Sequence, residues 1–111
     1  VKTVKASAGT SYDAKKHFNM WGMKKICPQD GTARLTISIS HFLPNGGGEM
    51  SSSDKERVYY VLSGSITVRG KNEEHFLEAG DMIYIAPGEE RSIETNGVQP
   101  ATTLVIVVDV W

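Results

Sequence analysis

Apolar side chains recur at every second position through much of the chain, and that spacing commits it to strands. The clearest stretch is Leu35-Thr36-Ile37-Ser38-Ile39-Ser40-His41, where Leu35, Ile37 and Ile39 share one face and the hydroxyl residues share the other. A strand sends successive side chains to opposite sides, so this alternation predicts one buried and one open face. Residues 58–62 and 65–69 are rich in β-branched and aromatic residues and predict two more strands joined through Ser63-Gly64. Residues 75–77, 81–85, 91–94 and 102–110 complete the set, with turns at Gly70-Lys71-Asn72, Ala79-Gly80, Pro87-Gly88 and Asn96-Gly97. Pro44-Asn45-Gly46-Gly47-Gly48 predicts a turn or loop as well, because proline removes a backbone donor and glycine permits positive φ. Helix-period stretches are scarce. Many short strands within 111 residues predict one closed or nearly closed antiparallel barrel or sandwich, since the chain is too short for two separate cores.

Several function classes drop out. No apolar run approaches the ~20 residues of a membrane helix, so no membrane partner is expected. Residues 1–10 alternate Lys, Ser, Thr and small residues, unlike the basic end and apolar run of a signal peptide. Cys27 is the single cysteine, which excludes an internal disulfide and makes a cytoplasmic location the expectation. A net charge of −1 without a basic block argues against nucleic acid as a partner.

Two glycine-closed blocks are more specific. The first is Ser51-Ser52-Ser53-Asp54-Lys55-Glu56-Arg57-Val58-Tyr59-Tyr60-Val61-Leu62-Ser63-Gly64, the second Gly80-Asp81-Met82-Ile83-Tyr84-Ile85-Ala86-Pro87-Gly88-Glu89-Glu90-Arg91. Together they resemble the two-part signature of the cupin superfamily, G-x5-H-x-H-x3/4-E-x6-G and G-x5-P-x-G-x2-H-x3-N. The resemblance runs over roughly residues 35–110. It implies a single all-β domain over 1–111, an antiparallel cupin-type β-barrel (double-stranded β-helix, or jelly roll). Residues 31–111 would form the barrel, and segment 1–30 would cover a barrel edge or touch a second subunit. A homodimer formed through sheet edges and that segment is expected. Where the signature places its metal ligands, this chain holds Ser51, Ser53 and Arg57 in the first block and Arg91 in the second. Glu56 is one position out, Ala86 replaces the first proline, and Thr95, with Asn96 beside it, stands at the asparagine.

Guanidinium has no lone pair to donate and stays protonated, so the ordinary metal site is not expected, nor any other cofactor. If the resemblance holds, Arg57 and Arg91 reach one cavity from two strands, and two cations there repel unless something negative joins them. Each planar fork matches a carboxylate or phosphate. Arg57, Arg91, Ser51 and Ser53 are therefore the candidate ligand-binding residues for a small organic anion. The competing reading pairs each arginine with a nearby acid, Glu56, Glu89, Glu90 or Glu94. His41 continues the parity of Leu35, Ile37 and Ile39; it either reaches the pocket mouth, where a near-neutral pKa suits a general acid or base, or is a hydrogen-bonded core histidine. Tyr59, on the same face as Arg57, is the second catalytic candidate, with Tyr60 on the opposite face. His75, beside a hairpin, reads as a surface residue. His17 lies in an aromatic and Met-rich segment, 12–23, that covers an open edge, packs on a second subunit or roofs the pocket. A non-standard metal site would have to gather His17, His41, His75, Glu49 and Cys27, no pair of which has ligand spacing; Cys27 otherwise reads as a buried structural thiol. Two functional classes follow: a metal-independent enzyme of isomerase, epimerase or lyase type, and a non-catalytic binding or sensing domain. A third, a structural dimer without a pocket, requires Met82, Tyr84 and Trp111 to fill the interior.

Overall fold

The computed structural model describes residues 1–110, and among them the chain forms nine strands: β1 (Thr10–Tyr12), β2 (His17–Ile26), β3 (Leu35–Ser51), β4 (Glu56–Ser63), β5 (Ser65–Gly70), β6 (Glu73–Glu78), β7 (Met82–Ile85), β8 (Arg91–Thr95) and β9 (Ala101–Val108). Every pairing is antiparallel. The sheet runs β6-β5-β8-β3-β9-β4-β7, with β2 also on β3 and β1 on β2. It rolls up into a nearly closed barrel, the all-β architecture anticipated from the strand pattern. No helix among the described residues is long and apolar enough to cross a membrane.

β3 holds the two sheets together. Leu35 to Phe42 pair with β9, whereas Gly47, Gly48 and Ser51 pair with β8 on the other side of the barrel. The turn expected at Pro44-Gly48 is therefore a bend inside one strand, with Asn45 at φ 62° and no reversal of the chain. Strands that change sheets need such a corner. The glycines serve close packing between β2 and β8 there, not a hairpin.

The alternation in β3 is present, but its faces are the reverse of the expected ones. Ser38, Ser40 and Phe42 are buried toward the interior, while Leu35, Ile37, Ile39 and His41 face outward and are only partly covered. The neighbouring strands keep this parity through their registers: Thr103 on β9 and Arg57, Tyr59 and Val61 on β4 point inward, and Leu104, Ile106, Val58 and Tyr60 point outward. A period of two groups residues by face without saying which face is inside.

One half of the interior is an ordinary core of Phe42, Tyr59, Val61, Ile66, Val68, Leu77, Ile85, Ile93 and Ala101. Each large member contributes about 1.5–3 kcal/mol by leaving water. Met82 and Tyr84 do not fill the barrel; they point outward and are 61% and 56% exposed. Trp111, the third residue expected to close the interior, lies outside the described residues. At the other edge, β2 pairs along β3 from His17 opposite Gly48 to Ile26 opposite Ile37. Cys27 is not a core thiol: it is half-buried at the start of a short 3-10 turn, where its N–H donates to the Asp30 carboxylate at 3.0 Å.

Candidate functional site

Against this core lies a cavity of about 330 Å³, a size that suits a small molecule, and Phe42, Ile93, Val105 and Val107 line it together with polar residues. Its wall carries hydroxyl residues from four strands, Tyr12 on β1, Thr36, Ser38 and Ser40 on β3, Thr103 on β9 and Tyr59 on β4. Lys24, Lys55 and Arg57 add positive charge, and no Asp or Glu lines it among the described residues. Two of the cations are answered elsewhere. Lys55 Nζ lies 3.2 Å from Asp109 Oδ1, and Lys24 Nζ sits 5.4 Å from the centre of the Tyr12 ring.

Arg57 has no such partner among the described residues. Its Nε is buried without a hydrogen bond, and so is Thr103 Oγ1 across the wall. A buried polar atom left in this state costs about 1–3 kcal/mol and calls for a physical reason. Three of the four acids that could have paired with it are engaged elsewhere: Arg69 is held by Glu94 and by Glu74, Glu56 accepts from the Tyr84 hydroxyl at 3.1 Å, and Glu89 accepts from the Ala86 N–H at 2.9 Å; the fourth, Glu90, borders the second cavity, not this one. Glu94 first, and then Glu74, raise the pKa of Arg69, as expected of a doubly bonded guanidinium.

Arg91 does not share the cavity with Arg57, contrary to the expected convergence of two forks. It is buried beside Tyr59: Nη1 donates to the Ser51 carbonyl at 2.8 Å and lies 3.3 Å from Ser51 Oγ, while Nε donates to the Tyr59 oxygen at a long 3.4 Å. On its far side it borders a second cavity of about 400 Å³, where Lys71, Glu73, Glu89 and Glu90 mix both signs of charge. Ser51 is thus tied to Arg91 and does not line the first cavity, whereas Ser53 does. Tyr59 lines it as expected, with its hydroxyl oriented by Arg91.

His41 is on the outer surface, a correction that follows from the reversed parity of β3. Its ring stacks on Trp21 with centroids 4.2 Å apart, and Nδ1 lies 3.4 Å from Thr102 Oγ1. The histidine that lines the cavity is His17, carried in by β2. His17 Nδ1 is 2.7 Å from the Lys15 carbonyl. A carbonyl only accepts, so Nδ1 carries the proton and the neutral ring offers Nε2 as an acceptor. The opposing glycine makes room for it: a Cβ on Gly48 would stand 2.8 Å from that Nε2. The sequence showed the segment without showing which side chain it turns inward. His75 is on the surface, bonded to Glu73 at 2.8 Å.

The metal that the cupin signature implies does not fit these residues. The cavity offers hydroxyls, one imidazole and cations, and a divalent ion beside Arg57 would meet charge of its own sign. Nor do His17, His41, His75, Glu49 and Cys27 converge, for no three His, Cys, Asp or Glu side chains cluster in a ligating arrangement among the described residues. Dialysis against Zn, Mn, Fe or Ni followed by elemental analysis is expected to leave well below one ion per chain; stoichiometric retention would refute this reading of the donor set.

Comparison with known proteins agrees with the geometry of the barrel. The cupin-domain profile matches residues 38–107. Beta-D-galactosidase Rv1717 of Mycobacterium tuberculosis is 32% identical over 108 residues, 96% of this chain and 93% of the relative. Among solved structures, the polyketide cyclase RemF from Streptomyces resistomycificus superimposes with a TM-score of 0.84 at 22% identity, covering 100% of this chain and 86% of that one. A predicted oxalate decarboxylase from Thermotoga maritima does so at 0.81 and 15%, covering 96% and 98%. At these identities the two structures speak for the fold alone. With the profile spanning more than half of its length, a relative aligned nearly end to end and the two-sheet barrel described above, the chain belongs to the cupin domain family.

Proposed function

We propose that this cupin binds a small hydroxylated organic anion in the cavity around Arg57, without a metal ion. One observation carries the reading: Arg57, whose Nε is buried and unpaired, and Thr103, whose hydroxyl is buried and unpaired, line a cavity to which cations, hydroxyls and apolar side chains contribute but, among the described residues, no carboxylate does. A bound carboxylate would take the Arg57 fork through charge-assisted bonds, and its hydroxyls would meet Ser38, Ser40 and Thr103. The galactosidase name of the Mycobacterium relative suits a hydroxylated guest. Ordinary glycoside hydrolysis does not suit this cavity, because it needs two carboxyl groups flanking the scissile bond.

His17 Nε2 and the Tyr59 hydroxyl are the groups that would move a proton on such an anion. Arg91 already occupies one lone pair of the Tyr59 oxygen, which leaves the O–H free to donate into the cavity. With the anion held by Arg57, a base and a donor on different strands fit an isomerase or lyase that works by proton transfer. The binding-only alternative keeps the same pocket without turnover.

Calorimetric titration with D-galacturonate and D-galactose tests the charge requirement. The acid is expected to bind at least tenfold more tightly than the neutral sugar, with an affinity that falls as salt rises. Equal affinity for the two would sink the proposal. Solvent-deuterium exchange into the bound acid, followed by NMR, separates enzyme from binder: incorporation at carbon requires a working base.

A further inference from the structure

We infer that the second cavity is a separate binding site for a zwitterion, a free α-amino acid with an aliphatic side chain. The cavity sits where the barrel fails to close. β6 and β7 are the two ends of the strand order, joined by the turn at 79–81 but not paired with each other. The gap opens over about 400 Å³ between Glu73 and His75 on β6 and Ile83, Tyr84 and Ile85 on β7, a volume that holds a small molecule. No residue lines both this cavity and the one around Arg57.

Charge in this cavity is layered by depth. Arg91 is only 8% exposed, whereas Glu73, Glu89 and Glu90 are exposed at the rim. Among the described residues no carboxylate forms an ion pair with Arg91. Glu73 is bonded to His75 at 2.8 Å, and Glu89 accepts the Ala86 N–H at 2.9 Å. The guanidinium commits Nε to Tyr59 and Nη1 to Ser51, which leaves Nη2 without a partner among the described residues. Unlike Arg57 Nε, that nitrogen is not sealed away, so a guest in the cavity reaches it. A buried guanidinium with an open nitrogen takes a carboxylate. A plain carboxylate, however, has to pass three acids with only Lys71 to offset them, and a plain amine is repelled by Arg91 below. An α-amino acid satisfies both layers, its carboxylate on Arg91 Nη2 and its ammonium between Glu89 and Glu90, because its two charges are one carbon apart as these three residues are neighbours in the chain. Val68, Ile83 and Ile85 form the apolar part of the wall, where a branched aliphatic side chain leaves water.

Titration calorimetry with L-leucine, 4-methylpentanoate and 3-methylbutylamine tests the site, since the three share a carbon chain and differ in charge. Leucine is expected to bind roughly tenfold more tightly than either analogue, each of which lacks one charge-assisted contact. The E89Q/E90Q double variant neutralises the rim while keeping a carbonyl for the Ala86 N–H. Its affinity for leucine should fall by about tenfold and its affinity for 4-methylpentanoate should rise, so that the preference narrows or reverses. A second measurement stands even if that variant fails to fold. In the wild type labelled at isoleucine methyls, leucine should shift Ile83 and Ile85, which line this cavity, and leave Ile93, which lines the other. No binding of leucine at about 10 mM, equal affinity for leucine and 4-methylpentanoate, a folded double variant with unchanged selectivity, or shifts at Ile93 in place of Ile83 and Ile85 each overturns the proposal.

Discussion

Arg57→Met is expected to weaken binding of a hydroxylated carboxylate by roughly 10- to 100-fold and, in the same protein, to raise the melting temperature of the free state. The first effect follows from losing a charge-assisted bond of about 1.5–3 kcal/mol, with about 1.4 kcal/mol to each factor of ten. The second follows from the free protein, where Arg57 Nε is buried with no partner. Methionine has similar length and no polar atom, so it keeps the packing and removes an orphan donor costing about 1–3 kcal/mol. Each kcal/mol recovered is about 4–8 °C in a small domain. Opposite signs for affinity and stability distinguish a group kept for its ligand from one kept for the fold. Calorimetry with D-galacturonate reads one arm and differential scanning the other. His41→Ala, on the outer surface, serves as the control and should leave the affinity unchanged. Arg91→Ala should cost less than Arg57→Met, because Arg91 acts through Tyr59. If Arg57→Met binds as wild type does, or melts lower, the assignment of this guanidinium to a ligand is wrong.

Gly47→Ala is expected to cost the barrel stability, because the obstacle to a side chain at that point of the β3 bend cannot move. A Cβ there would stand 2.3 Å from the Ile93 carbonyl oxygen and 3.1 Å from Glu94 Cα, both backbone atoms of β8, with which Gly47 pairs. Backbone in a sheet yields little, so the strands must part, at about 1–3 kcal/mol or more. The midpoint of thermal unfolding followed by circular dichroism should fall by about 4–20 °C. An unchanged midpoint would mean that β3 does not cross between the sheets as described. At Gly48 the obstacle is different. A Cβ would meet the end of the His17 ring, which can rotate away.

Strand placement was legible in the sequence because alternation is a local property. The runs around Leu35, Val58 and Thr102 needed no tertiary knowledge to be read as strands, and Arg57 emerged from its spacing to Gly64. The inside of the barrel was not legible. Leu35, Ile37 and Ile39 look like a core face, and only the register with β9 and β4 shows Ser38 and Ser40 turned toward Thr103 and Tyr59. His41 was misplaced for the same reason, having been read by parity with its apolar neighbours. Arg91 was expected beside Arg57 in one cavity, and a one-dimensional pattern cannot show that its guanidinium instead bonds the Ser51 carbonyl and the Tyr59 oxygen. His17 belongs to a strand with little alternation of its own, and its conformation depends on pairing with residues about thirty positions away.

The arm formed by β1 and β2 is attached along one border of the barrel, yet it supplies Tyr12, His17 and Lys24 to the cavity. Scaffold and selectivity are thereby uncoupled: what the pocket admits can be rewritten in a stretch of chain that contributes no side chain to the fully buried core. A family could diversify its guests by editing the side chains of this arm while keeping the pairing of β2 with β3 and the packing of Met20 on the core.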